Sequence, residues 1–291
     1  MLAQFLQFAL SGLTVGAVYA IVGLGFTLIY NASGVLNFAQ GEFVMIGGMV
    51  TVFAVAAGVP LPLAILLSII IAALVGIAVH RLAIAPAREA SPVTLIIITI
   101  GVALILRGLA QLLFDKQLHK LAGFSGDQPI IVLGASILPQ ALWVIGGCGL
   151  VVGVVTLFLS GTLMGKALLA TAANRLAAQL VGIHIAVVLA LAFALSAVIG
   201  AIAGILVTPI TFTHAEVGTM LALKGFTALV LGGLGSPLGA VLGGFVLGLC
   251  EAFSAGYLSS TYKDAVAFLV MIAVLVFMPA GLIGNTNAER V

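Results

Sequence analysis

Residues 61–80 read LPLAILLSIIIAALVGIAVH, without a single Asp, Glu, Lys or Arg. An α-helix of about 20 such residues is long enough to cross the roughly 30 Å hydrocarbon core of a bilayer. The whole chain has a similar character, since 63% of its 291 residues are hydrophobic and only 6% are charged. Roughly a quarter of the residues of a soluble domain are charged. The sequence therefore predicts a membrane protein that crosses the bilayer several times.

Apolar segments like this one recur along the chain and predict an all-α bundle of eight or nine transmembrane helices in a single domain. Only helices are plausible here, because backbone groups in lipid must hydrogen-bond within the protein. The predicted segments are residues 5–30, 38–57, 61–80, 93–114, 140–160, 184–207, 217–232, 238–256 and 264–280. The segments 38–57 and 217–232 are the weakest candidates for a full crossing, and a broken or re-entrant helix is the alternative for each.

Small residues recur every four positions in the first and eighth predicted segments. They are Gly12, Gly16 and Ala20 in the first and Ala240, Gly244 and Gly248 in the eighth. This spacing lets helices approach closely in a membrane. It predicts a tight bundle and suggests a partner subunit.

Two polar interruptions predict broken helices, NASGVLNFAQGE at residues 31–42 and LGGLGSPLG at residues 231–239. Backbone groups freed by such breaks must face protein or a water-filled path. The candidates for a translocation path or gate are therefore Asn31, Asn37, Phe38, Gln40, Glu42, Gly233, Gly235 and Ser236. For Glu42, the alternative is an acid at a helix N-terminus that the helix dipole stabilises.

A shared Gly-Phe-Thr precedes both interruptions, at residues 25–27 and 225–227. It hints that a helix–break–helix unit has been duplicated. The predicted membrane segments, where charge is costly, also contain Arg107, Lys224 and Glu251. Arg107 is expected to extend outward to the interface. Glu251 lies within reach of the outer side, with pairing to Lys224 as the alternative.

Basic residues predict the orientation of the chain. Arg81 and Arg88 lie in the stretch 80–91, Lys166 lies in the stretch 165–183, and Arg290 lies in the tail. Cytoplasmic segments of membrane proteins carry an excess of Lys and Arg. The pattern predicts an external N-terminus and a cytoplasmic C-terminus.

The stretch 165–183, GKALLATAANRLAAQLVGI, is too polar to cross a bilayer. Helical spacing places Thr171 and Arg175 on one face and Leu176 and Leu180 on another. This predicts one short amphipathic helix, which lies either on lipid or on another protein. Helices that lie on lipid are usually rich in Lys and Arg. Because this one has few cations and an Ala-rich apolar face, docking to protein is favoured.

Several classes of function are not expected from the sequence. The glycine-rich LGGLGSPLG lacks the Lys-Ser/Thr ending of a phosphate-binding loop, so no nucleotide cofactor is predicted. The four histidines are scattered, so no metal site is predicted, and no catalytic constellation marks an enzyme. The net charge of +2 does not point to nucleic acid as a partner.

Several motifs together resemble the LivH-type permeases of branched-chain amino acid ABC importers. They are GAVYA at residues 16–20, GVLNFAQGE at 34–42, the stretch 165–183, GFTALVLGGLGSPLGAVLGG at 225–244, YKD at 262–264 and MPAGLIG at 278–284. The resemblance runs over nearly the whole chain in the family's order and spacing.

The resemblance implies a permease subunit in the inner membrane of a bacterium. Its partners would be a second related permease subunit, two cytoplasmic ATP-binding subunits that hydrolyse ATP, and a periplasmic solute-binding protein. The solutes would be branched-chain amino acids or related small polar or zwitterionic compounds. The alternative is a self-sufficient channel or secondary transporter for a small neutral solute, which is expected to need paired membrane charges.

The resemblance also identifies the stretch 165–183 as the loop that couples the permease to an ATP-binding subunit. Its candidate coupling residues are Gly165, Lys166, Asn174, Arg175, Leu176 and Gly182. Loops of this family commonly carry an acidic residue in the middle, whereas residues 172–174 read Ala-Ala-Asn. The departure puts any particular salt bridge to the ATP-binding subunit in doubt.

Overall fold

The computed structural model describes residues 2–87 and 89–283. Arg88, Gly284 and Arg290, which entered the predictions of orientation and of the C-terminal motif, lie outside the described residues. The described part contains eleven α-helices: α1 (Leu2–Ser33), α2 (Gln40–Ala56), α3 (Leu61–Val79), α4 (Pro92–Phe114), α5 (Pro139–Gly161), α6 (Leu163–Ala173), α7 (Arg175–Leu180), α8 (Ile185–Thr211), α9 (Val217–Gly232), α10 (Pro237–Tyr257) and α11 (Lys263–Phe277). A π-helical turn (His80–Ile84) continues α3, and a 3-10 turn (Ser260–Tyr262) precedes α11.

The predicted class, an all-α polytopic membrane protein, is confirmed. Seven helices in the described part are long and apolar enough to cross a membrane. Only two short strands occur there, β1 (Ile130–Val132) and β2 (Ala135–Ile137), which form an antiparallel hairpin in the loop between α4 and α5. The helices α2, α6 and α9 are apolar but shorter. Which helices cross the bilayer, and between which residues, stays a prediction.

The helices α4 and α10 begin where the sequence places a capping residue followed by proline. Ser91 accepts a hydrogen bond from the Thr94 amide at the start of α4 (3.2 Å), and Ser236 accepts one from the Gly239 amide at the start of α10 (3.0 Å). Each is followed by a proline at the first helical position. This combination suits a helix start, because the cap satisfies a free amide and proline has no amide to satisfy.

Two units of four helices, α1–α4 and α8–α11, have the same arrangement in opposite directions. In each, a long helix is followed by a short return segment and then by a shorter helix. Gln40 at the start of α2 contacts Ser196 near the middle of α8, and α2 then runs alongside α8. Gly225 of α9 contacts Val22 of α1, and α9 runs alongside α1. We call α2 and α9 the half-helices.

The two long helices run in opposite directions. Gln7 near the start of α1 exchanges two hydrogen bonds with Ser136 of β2, at 2.9 and 2.7 Å. Thr213, just after α8, pairs with His119 in the same α4–α5 loop. This is the hairpin end of the bundle. The helices α6 and α7, between α5 and α8, lie at the other end, which we call the α6–α7 end.

The observed repeat differs from the predicted duplication. The two Gly-Phe-Thr sequences lie in α1 and in α9, whereas the counterpart of α1 in the structure is α8. The shared tripeptide therefore does not mark equivalent positions. The repeat is present in the arrangement of the helices, and it pairs α1 with α8, whereas the tripeptide would pair α1 with α9.

The small-residue segments of α1 and α10 pack against each other, which is a close helix approach of the kind that their spacing predicts. A Cβ atom on Gly16 of α1 would lie 2.9 Å from the Cα atom of Phe245 in α10, and one on Gly12 would lie 2.9 Å from the Cα atom of Leu249. These distances leave no room for a side chain. The backbones of α1 and α10 therefore touch along their length, which stabilises the bundle through van der Waals contact.

Candidate functional site

The first break is shorter than predicted, because α1 continues to Ser33 and α2 begins at Gln40. The non-helical segment is residues 34–39, within the predicted 31–42. Gln40 is fully buried and fixes the start of α2. Its Nε2 donates to the Ser196 carbonyl oxygen (3.1 Å), while the Ser196 hydroxyl lies 2.5 Å from its Oε1 and 2.8 Å from the Gly25 carbonyl oxygen. Gln40 thus joins α1, α2 and α8, and it lies in the bundle interior.

Asn37 and Phe38 shape the return segment. Asn37 is fully buried, and its Oδ1 accepts a hydrogen bond from the Ala39 amide at 3.2 Å. The Phe38 ring packs between Phe26 and Phe226, with ring centroids 6.2 and 5.5 Å away. The Phe38 amide donates to Thr99 Oγ1 of α4 at 3.2 Å. The segment is therefore held between α1, α4 and α9.

Glu42 and Arg107 form an ion pair between α2 and α4. Arg107 Nη2 donates to Glu42 Oε1 at 2.7 Å, and the Glu42 side chain is only 2% exposed. The carboxylate lies in the first turn of α2 and beside Gly218 in the first turn of α9. Two helix N-termini therefore face it, and both favour a negative charge. The expectation that Arg107 extends outward is wrong, because a buried carboxylate lies within its reach.

A cavity of about 210 Å³ adjoins the ion pair, between α2, α4 and α9. Glu42, Arg107 and the Thr219 hydroxyl give it a polar side, and Phe38, Leu104 and Leu223 give it apolar walls. Thr219 and Leu104 are exposed in the isolated chain, so the cavity is open to the outside of the bundle. Of the predicted path residues, Phe38 and Glu42 line this cavity.

The second break is a tight turn at the α6–α7 end, over residues 233–236, within the predicted 231–239. Gly233 and Gly235 have φ angles of 107° and 86°, which favour glycine, and Ser236 caps α10. Asn31 Nδ2 donates to the Gly235 carbonyl oxygen at 3.0 Å. The predicted path residues therefore separate into two groups, with Asn31, Gly233, Gly235 and Ser236 gathered at this turn, apart from the cavity.

The chain near residue 280 packs against this turn. The amides of Leu282 and Ile283 donate to the carbonyl oxygens of Leu231 (2.9 Å) and Gly232 (3.0 Å). These carbonyls belong to the last turn of α9, where a helix leaves its acceptors without helical partners. The C-terminal motif therefore completes the end of α9.

A second group of buried charges connects α1, α9, α10 and α11. Lys224 is 4% exposed and pairs with Glu251 at 2.7 Å, as the alternative in the sequence analysis proposed. Lys224 also pairs with Asp264, and Tyr19 donates to Glu251 Oε2 at 2.8 Å. Tyr19 and Asp264 were not predicted to belong to this group, although Asp264 is part of the YKD motif. Each half-helix is thus joined by an ion pair to the fourth helix of its unit.

The stretch 165–183 contains two helices, α6 and α7, and the prediction of one helix is wrong. Asn174 separates them with an extended backbone (φ −157°, ψ 105°), and its Oδ1 accepts a hydrogen bond from the Ala177 amide at 2.9 Å. Asn174 acts as the N-cap of α7, a role that asparagine commonly has. Thr171, predicted to share a helical face with Arg175, is buried, whereas Arg175 is exposed.

The candidate coupling residues differ in exposure. Gly165 is buried against α5, where a Cβ atom would collide with the Phe158 carbonyl oxygen. Lys166, Arg175, Leu176 and Gly182 are exposed. An apolar surface lies around them, which we call the α6–α7 surface: Leu169, Leu176, Leu180 and Val181, of which the last three are 70 to 82% exposed. A neighbouring cavity of about 460 Å³ is lined by His80, Arg175 and Gln179.

A membrane bundle whose half-helices begin in its interior, beside a polar cavity, has the architecture of a transport permease. The chain belongs to the family described as branched-chain amino acid transport system / permease component, whose sequence profile matches residues 8–275. It is therefore a transport permease subunit rather than an enzyme. Family membership also favours the ABC permease over the alternative of a self-sufficient channel.

Individual relatives agree with this family. The high-affinity branched-chain amino acid transport system permease protein LivH of Salmonella typhimurium is 34% identical, over 99% of this chain and 98% of the relative. The corresponding protein BraD of Pseudomonas aeruginosa is 33% identical over the same shares. A solved structure of PsaBC from Streptococcus pneumoniae in complex with Fab has a TM-score of 0.51 at 14% identity, over 95% of each chain. That likeness concerns the fold alone.

Proposed function

We propose that this chain is the permease subunit of an ABC importer for branched-chain amino acids or related small zwitterionic solutes. It forms half of a translocation path with a second, related permease subunit. The substrate class is supported by the relatives named for branched-chain amino acid transport, which are about one third identical over nearly the full length. The proposal that this chain works with partner subunits is supported by the α6–α7 surface, since exposed apolar patches mark sites of interaction.

ATP-binding subunits dock on the α6–α7 surface, and ATP hydrolysis takes place on them. Leu176, Leu180 and Val181 supply the apolar contact. The other side of α6 is built into the bundle through Leu168, which is fully buried. A displacement of α6 and α7 by the ATP-binding subunits therefore reaches α1, α5 and α8, against which α6 packs.

The translocation path lies along the face of α4, where the cavity beside Glu42 and Arg107 opens. The helices α4 and α11 are largely exposed in the isolated chain, in contrast to α1. Such faces contact lipid or another membrane subunit, and the second permease covers part of them.

The hairpin end faces the periplasm and a solute-binding protein, and the α6–α7 end faces the cytoplasm of a bacterium. The N-terminus is then outside and the C-terminus inside. Support comes from Arg81, Lys166 and Arg175, which belong to segments at the α6–α7 end. This agrees with the excess of basic residues on the cytoplasmic side of membrane proteins.

The test is an assembled complex with its second permease, two ATP-binding subunits and binding protein, reconstituted in liposomes. We expect ATP-dependent uptake of radiolabelled L-leucine. In the double variant Leu176→Asp/Leu180→Asp, co-purification of ATP-binding subunits is expected to fall about thirtyfold, since two apolar contacts of ~1 kcal/mol each are lost.

The control variant is Leu133→Asp, which makes the same kind of substitution once, at an exposed leucine in the hairpin turn. It should retain its ATP-binding subunits. Unchanged co-purification in the double variant would show that docking occurs elsewhere.

A further inference from the structure

The ion pair beside the cavity leaves two polar atoms unused. Glu42 Oε2 and Arg107 Nε are both buried, and neither has a hydrogen-bond partner among residues 2–87 and 89–283. One is an acceptor with negative charge, and the other is a donor with positive charge. Buried polar atoms of this kind are costly unless something binds them. Both residues line the cavity, so a solute there can supply the missing partners.

The charges around the cavity select the kind of solute. Glu42 contributes one negative charge and Arg107 one positive charge, and the first turns of α2 and α9 add partial positive charge. A solute with a carboxylate near Arg107 and an ammonium group near Glu42 matches this arrangement. A purely cationic solute would meet Arg107 and two helix N-termini, and a purely apolar one would leave both polar atoms unpaired.

The size and walls of the cavity limit the rest of the solute. At about 210 Å³ it is below the roughly 300–1,000 Å³ of pockets for drug-sized ligands. Its walls away from the ion pair are mainly apolar, among them Phe38, Leu104 and Leu223. A small aliphatic side chain fits them, and burying it there is favourable.

We propose that Glu42 and Arg107 form a transient binding subsite for the ammonium and carboxylate groups of an α-amino acid with a small apolar side chain. The subsite rests on the proposed function, because it lies on the path which that function requires. The solute's ammonium group binds Glu42 Oε2, and its carboxylate accepts from Arg107 Nε and from the Thr219 hydroxyl.

The substitution Arg107→Lys tests this in the reconstituted complex with L-leucine as the probe. Lysine keeps a positive charge opposite Glu42 but has no second nitrogen to offer the solute. We expect leucine uptake per ATP hydrolysed to fall about tenfold, equivalent to ~1.4 kcal/mol, while the ATPase rate changes little. Arg81→Lys, the same substitution at an exposed arginine away from the cavity, should transport as the unmodified complex does.

A second measurement does not depend on altering the ion pair. Thr219→Cys is introduced into a chain whose Cys148 and Cys250 are replaced by alanine, and its reaction with a small methanethiosulfonate reagent is timed. Leucine delivered by the binding protein is expected to slow the reaction severalfold. Lys120→Cys, in the exposed α4–α5 loop away from the cavity, should react at the same rate with and without leucine.

The outcomes separate the two proposals. A complex with the unmodified chain that takes up neither a branched-chain amino acid nor another small zwitterionic solute would overturn the proposed function and, with it, the subsite. If that complex transports, unchanged uptake per ATP in Arg107→Lys overturns the subsite alone. Equal labelling rates of Thr219→Cys with and without leucine would also overturn the subsite. This second measurement stands even if the Arg107→Lys variant fails to assemble into a complex.

Discussion

Gly41 and Gly218 touch backbone to backbone where the two half-helices begin. A Cβ atom on Gly218 would lie 2.6 Å from the Gly41 carbonyl oxygen, and one on Gly41 would collide with the Gly218 carbonyl oxygen. We expect Gly41→Ala and Gly218→Ala each to destabilise the protein by ~1–3 kcal/mol, the usual cost of overpacking. The thermal unfolding midpoint of the detergent-purified protein, followed by size-exclusion chromatography, measures this.

Gly108→Ala is the matched control, because a Cβ atom at Gly108 in α4 would meet no other atom within 4 Å. Alanine is also the better helix former by ~1 kcal/mol. Its midpoint should equal or exceed that of the unmodified protein. A midpoint for Gly218→Ala as high as that of Gly108→Ala would mean that the half-helices can separate at little cost.

Single residues also show what the sequence can and cannot predict. Costly membrane charges were recognisable, so Glu42, Lys224 and Glu251 stood out, and the Lys224–Glu251 pair is observed. The Arg107–Glu42 pair was missed because residues 65 positions apart meet only through tertiary packing. The carboxylate of Asp264 was missed for the same reason, since it lies 40 positions from Lys224.

Among the helices, α7 depends most on its cap, because it has only six residues. Loss of an N-cap side chain costs ~1 kcal/mol, a factor of about 5 in an equilibrium. In Asn174→Ala we therefore expect trypsin to cleave the purified permease after Arg175 several times faster, through more frequent opening of α7. The measurement is the rate at which the intact chain disappears on a gel.

Asn174→Asp separates the cap from other effects of the substitution. Aspartate keeps an oxygen that can accept from the Ala177 amide, and it is as good a cap as asparagine. Its cleavage rate should match that of the unmodified chain. Equal rates for Asn174→Ala and Asn174→Asp would show that the cap does not limit the opening of α7.

The α6–α7 segment also illustrates how far helical periodicity reaches. The exposed leucines Leu176 and Leu180 were expected on a docking face, and both are exposed. The prediction that one helix continues through Asn174 is wrong. The asparagine side chain hydrogen-bonds the backbone of the residues that follow it and so starts a new helix there. Ser91 and Ser236 likewise cap the first turns of α4 and α10. The starts of these two helices are therefore also marked in the sequence by a capping residue.

For the whole molecule, composition predicts the class and local patterns predict the helices, but neither predicts the repeat. The units α1–α4 and α8–α11 share an arrangement of backbones, and that arrangement needs only apolar surfaces and small residues at crossings. Gly41 and Gly218 are equivalent in the structure without belonging to a common motif. The Gly-Phe-Thr coincidence was misleading because three residues specify no fold.

The proposed orientation gives a further prediction for the intact cell. In a chain whose Cys148 and Cys250 are replaced by alanine, Lys120→Cys in the α4–α5 loop should react with a membrane-impermeant maleimide applied from outside. Lys166→Cys in α6 should react only after the membrane is opened, because α6 lies at the other end. Both positions are exposed in the structure, so either cysteine can be labelled. The reverse labelling pattern would contradict the proposed orientation.

The hydrogen bonds from Leu282 and Ile283 to the end of α9 bear on how the chain is made. Synthesis proceeds from the N-terminus, and the acceptors at Leu231 and Gly232 leave the ribosome about 50 residues before their donors. Throughout the insertion of α10 and α11, the last turn of α9 has two carbonyl groups that rely on temporary partners such as water. The turn at residues 233–236 therefore reaches its final form only after Leu282 and Ile283 have been made. A chain that ends before residue 282 would leave these two carbonyl groups of α9 without their hydrogen-bond donors.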